Sequence, residues 1–63
     1  MMGYLKLEEV MELLETQPPG TPMELSRLCE WLNGLVKRRG RNWVRENRQL
    51  ILKEWRFVLD FNL

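Results

Sequence analysis

Apolar residues recur at helical spacing in three stretches of the chain, separated by one proline-rich segment and one glycine. Between residues 5 and 15, Leu7, Val10, Met11 and Leu14 fall on one face at 100° per residue, with Leu13 beside them. Glu8, Glu12 and Glu15 line the opposite side. Between 22 and 39, Leu25, Leu28, Cys29, Leu32, Leu35 and Val36 share a face, with Trp31 at its edge. Between 43 and 61, Val44, Ile51, Trp55, Val58 and Leu59 make a third apolar face, with Leu52 at its edge. The pattern predicts an all-α fold: a three-helix domain in which helices 2 and 3 form a long antiparallel hairpin and a shorter helix 1 packs across it.

Local signals set the boundaries. Residues 1–4 read as a short lead, with Tyr4 and Leu5 in reach of the core. The segment Gln17-Pro18-Pro19-Gly20-Thr21-Pro22 cannot continue a helix and favours a stiff extended connector that spaces helix 1 from helix 2. Its P-x-x-P spacing is accounted for by that role. Thr21-Pro22-Met23-Glu24 supplies a capping hydroxyl, a proline at the first helical position and the glutamate of a capping box, so helix 2 starts there. Asn33-Gly34 weakens the helix by about 1 kcal/mol relative to alanine, but Leu35 and Val36 keep the phase, and helix 2 reads through to residue 39. A helix-turn-helix centred on Gly34 is excluded, because Glu30 would occupy the close crossing of its two helices. Gly40 suits a left-handed helix end, and Asn42 suits the cap of the next helix.

The third stretch carries a second apolar stripe. Trp43, Leu50, Phe57 and Phe61 follow near-heptad spacing far around the cylinder from the first face. A helix over 43–61 is about 28 Å long and offers two apolar sides. If helices 1 and 2 flank it, both sides are core. Otherwise the stripe is a helix–helix interface with a second copy, a homodimer through helix 3, or with another helical protein.

A chain of 63 residues makes one domain, and at this size folding buries only about 60% of the surface the unfolded chain exposes, so association would add stability. With 44% hydrophobic residues and three tryptophans the chain belongs to the folded class. One cysteine, Cys29, allows no internal disulfide and fits a reducing, cytoplasmic setting. No apolar run reaches the roughly 18 residues of a membrane span, and Glu8, Glu9 and Glu12 interrupt any signal-peptide core, so no membrane partner is expected. The chain has no histidine and one serine. It therefore offers no nucleophile–base–orienting set and no zinc set, and it is expected to be non-enzymatic, with no metal or cofactor.

Charge divides along the chain. Residues 1–30 hold six glutamates against Lys6 and Arg27, a net −4, while residues 31–63 hold eight Lys or Arg against Glu46, Glu54 and Asp60, a net +5. Lys37, Arg38 and Arg39 complement the C-terminal dipole of helix 2. Arg41, Arg45 and Arg48 instead surround the start of helix 3, where amide donors and the positive dipole end favour anions. The primary expectation is a regulatory module whose basic pole, Lys37, Arg38, Arg39, Arg41, Arg45 and Arg48 with Trp43 as a stacking ring, contacts nucleic-acid phosphates. The alternative is a protein-interaction or homo-oligomerisation module working through Trp43, Leu50, Phe57 and Phe61. Glutamates of helix 1, Glu8 or Glu9, are candidates to neutralise the pole, from within or from a second copy.

Overall fold

The computed structural model describes residues 5–61, and these form four helices: α1 (Leu7–Leu14), α2 (Pro22–Arg39), α3 (Arg41–Glu46) and α4 (Arg48–Phe61). The lead at residues 1–4 lies outside the described residues. The three-helix arrangement is overturned at Asn47, which breaks the expected third helix in two. Asn47 sits at φ −106°, ψ 20°, away from helical values. There the Asn47 side-chain amide donates to the Trp43 carbonyl at 2.8 Å, and the Arg48 guanidinium donates to the Arg45 carbonyl at 2.8 Å. The Trp43 carbonyl also keeps its ladder bond from the Asn47 N–H at 3.0 Å, while the Arg48 side chain offers the Arg45 carbonyl a partner outside the ladder.

The break changes the packing. A long hairpin of two helices does not form; α2 packs against short α3, and α1 touches each of the other three helices. Trp43, now on its own short helix, packs half-buried against the core, while Leu50, Phe57 and Phe61 stay outside on α4.

Helix 2 forms for the reasons its sequence supplies. The Thr21 backbone N–H donates to Glu24 Oε1 at 2.7 Å, and the Glu24 N–H donates to Thr21 Oγ1 at 3.3 Å, closing the capping box with Pro22 at the first turn. The helix continues unbroken through Asn33 and Gly34. Its end is abrupt: Gly40 alone separates α2 from α3. Gly40 adopts φ 93°, ψ 160°, a positive-φ extended conformation outside the left-handed helical well and open essentially to glycine. Its N–H closes α2 on the Val36 carbonyl at 2.8 Å, and its own carbonyl accepts from the Val44 N–H at 3.3 Å. Gly40 thus takes the capping position expected of Asn42, which lies inside α3 without a capping bond.

The core draws on all four helices and on Leu5: Val10, Leu13 and Leu14 of α1, Leu25, Leu28 and Leu32 of α2, Val44 of α3, and Ile51 and Trp55 of α4 are buried. Leu13, read as flanking, is fully enclosed, and Val58, read as core, is exposed. The proline segment does more than space α1 from α2, which are in contact. Pro18 is fully buried, and the Pro19 carbonyl accepts the Trp55 indole N–H at 2.8 Å.

Candidate functional site

Two surfaces collect the residues singled out by the sequence. The first is the corner around Gly40. Lys37, Arg38 and Arg39 end α2, Arg41 and Arg45 lie on α3, and Arg48 opens α4. All but half-buried Arg48 are exposed. Two of the six cations are turned inward to α1. Arg41 meets Glu9 at 3.5 Å and Arg48 meets Glu15 at 3.3 Å. The Lys6 backbone N–H, with Arg41 beside it, holds the Glu9 carboxyl below the usual carboxylate range.

Glu15 reaches Arg48 because it caps α1 in the left-handed conformation, φ 59°, ψ 29°. Helical spacing groups it with Glu8 and Glu12, but the residue has left the helix. Glu8 and Glu12 of the acidic stripe remain exposed and make no ion pair among the described residues. Arg39 covers Trp43: its guanidinium carbon stands 5.0 Å from the ring centroid, at cation–π distance. The six-residue α3 is also too short to build a strong dipole at the pole. Lys37, Arg38 and Arg45 are left with neither an acidic nor an aromatic partner among the described residues.

The second surface is the outer face of α4. Leu50, Phe57 and Phe61 are 55%, 64% and 73% exposed. Phe57 and Phe61, one turn apart, meet edge to face at 4.7 Å between centroids, so the two rings form a single exposed aromatic ridge. Lys53 and Glu54 flank the shallow groove between Leu50 and Phe57. Of the five large exposed hydrophobic side chains among the described residues, four are on α4, and Met23 is the other. A stripe at this density differs from the scattered apolar residues of an ordinary surface.

Between α2 and α4 lies an apolar cleft of about 310 Å³, lined by Glu24, Arg27, Trp31, Trp55, Val58 and Leu59. No apolar spacing marks it, because Trp31 and Trp55, whose rings stack at 6.4 Å between centroids, come from separate helices. Its one carboxylate, Glu24, is committed to the cap of α2. Cys29 lies elsewhere, half-buried near Leu5, Ser26 and Glu30, and burial pushes its thiol up. No group of three His, Cys, Asp or Glu side chains able to hold a metal ion occurs among the described residues. None of their helices is long and apolar enough to cross a membrane.

No protein-family model matches the chain, and no curated protein or solved structure matches it.

Proposed function

We propose that this small, compact all-helical domain is a non-enzymatic interaction module whose working surface is the outer face of α4. The observation that carries this reading is the exposure of the Phe57–Phe61 ridge in line with Leu50. Fully burying a side chain of this size is worth about 1.5–3 kcal/mol, and the fold leaves the three largely uncovered while enclosing residues only a turn away, Ile51 and Trp55. An amphipathic partner helix laid along α4 would cover them, with anchors spaced as helix-in-groove recognition requires. On this reading Glu9 of α1 and Glu15 at its C-terminal cap are internal staples that tie α1 to α3 and α4 through Arg41 and Arg48.

A photo-reactive phenylalanine analogue placed at position 57, and as a control at Arg45, tests the reading in cells expressing the protein. A discrete protein adduct from position 57 and none from 45 is the expected result. No adduct from 57, or the same smear from both, would remove it.

A second reading retains phosphate contact at the Gly40 corner, supported by Lys37, Arg38 and Arg45, which are exposed and unpaired among the described residues. It predicts binding to a mixed nucleic-acid pool that weakens steeply with salt and is lost in Arg38→Ala with Arg45→Ala. Retention independent of those two residues would count against it.

A further inference from the structure

We infer that the occupant of the α4 face is α4 of a second copy of this chain, laid antiparallel with the two Phe57 side chains meeting on the dimer axis. This deepens the interaction reading, on which it rests, by naming the partner and the register. The exposed positions of α4 fit themselves in one antiparallel register. With Phe57 on the axis, each Phe61 falls in height between Phe57 and Leu50 of the second copy, about 6 Å from the first and 4.5 Å from the second at 1.5 Å per residue. The seam then reads Leu50, Phe61, the Phe57 pair, Phe61, Leu50, with copies alternating outside the centre. Every exposed apolar residue of the stripe is used.

The charges select the same register. At 100° per residue, Lys53 and Asp60 lie about 40° and 60° to the same side of Phe57, and a twofold axis across antiparallel helices brings like flanks together. Lys53 then stands about 1.5 Å in height from Asp60 of the second copy, and symmetry forms the pair twice. Lys53 and Asp60 are both exposed and make no ion pair within one chain among the described residues. The obvious rival register, with Leu50 against Phe57, sets Lys53 beside Lys53 and Glu54 beside Glu54, and like charges oppose it. A parallel pair would bring Lys53 to Glu54, but it aligns the two helix dipoles that the antiparallel pair opposes.

Disulfide trapping in the full chain, with Cys29→Ala as background, reads the register directly. A bridge needs Cα atoms within about 7 Å. Leu50→Cys mixed with Phe61→Cys is expected to give a heterodisulfide, while neither variant alone gives a dimer. A homodisulfide from Leu50→Cys alone would signal a parallel pair and overturn the register. Charge reversal supplies a second readout: Lys53→Glu is expected to weaken self-association about tenfold, and adding Asp60→Lys to restore it. Restoration by Glu54→Lys in its place would overturn the antiparallel assignment. An adduct from position 57 to a different protein, with no self-association at any concentration, would refute the second copy while leaving the interaction reading standing. No adduct of either kind ends both.

Discussion

The Trp55 indole N–H donates to the Pro19 carbonyl at 2.8 Å, joining the middle of α4 to the proline loop across 36 residues of sequence. Trp55 is buried, stacks on Trp31 of α2, and presents the opposite side of α4 from Phe57. With Ile51, the other buried residue of α4, it fixes how the helix is rotated, and with it which residues face outward. Trp55→Phe keeps an aromatic ring but leaves the Pro19 carbonyl without its donor. Loss of about 1–2 kcal/mol of unfolding free energy is expected, with helicity unchanged, and urea denaturation followed by circular dichroism checks it. Equal stability would mean that the bond does not orient α4.

Two glycines respond in opposite directions to the same substitution. A Cβ at Gly34 or at Gly40 would meet nothing within 4 Å, so packing is removed from the comparison. Gly34 lies within α2, and Gly34→Ala should stabilise by about 0.5–1 kcal/mol. Gly40 holds a positive φ of 93°, and Gly40→Ala should destabilise by about 1–3 kcal/mol. Thermal melts of the two variants beside the parent decide the matter. A neutral Gly40→Ala would show that the α2–α3 corner opens at little cost.

The link from α1 to α3 carries a pH signature. The folded Glu9 carboxyl titrates below its ordinary value, chiefly because it accepts the Lys6 N–H and also because Arg41 adjoins it. A depressed folded pKa gives stability that is present above the ordinary glutamate value, about 4.3, and is lost as pH falls through the lowered value. Glu9→Gln should therefore melt below the parent at neutral pH and converge with it in acid. Melting curves between neutral pH and about pH 3 measure the difference, and a gap that persists in acid would assign the effect to something other than ionisation.

Cys29 should behave as a packing residue. Burial raises its thiol pKa, which lowers the thiolate fraction available to attack a disulfide reagent. Its reaction with an aromatic disulfide at mildly alkaline pH should be slower in the folded chain than in urea. Equal rates would contradict the packing seen around it.

Much of this architecture is legible in residue order, and the failures have identifiable causes. The start of α2 is plain because Thr21, Pro22 and Glu24 act over one turn, where sequence spacing and spatial distance coincide. Its passage through Gly34 follows from the phase of Leu35 and Val36. The division of the last stretch at Asn47 is not visible in hydrophobic period, since Val44 and Ile51 keep the same phase on either side of it. It coincides with side-chain bonds from Asn47 and Arg48 to the Trp43 and Arg45 carbonyls at the junction, which no apolar spacing reports. The basic corner was legible as composition but not as geometry. Glu9 and Glu15 reach Arg41 and Arg48 only once α1 is folded back, and Glu15 does so from a left-handed cap and not from the helical position its spacing suggests. The outward stripe was legible for Leu50, Phe57 and Phe61, which remain on one helix, whereas Trp43 turns with α3 onto the core beneath Arg39.

The most direct measurement is sedimentation velocity over a wide concentration range on the parent chain and on Phe57→Glu, each with its thermal melt. Phe57 is largely exposed within one chain, so the charge should leave the fold's stability nearly unchanged at low concentration. The parent is expected to shift from monomer toward dimer mass as concentration rises, and Phe57→Glu to stay monomeric throughout. A parent that remains monomeric at every concentration, or a variant that associates as the parent does, would contradict the assignment of α4 as the self-association surface.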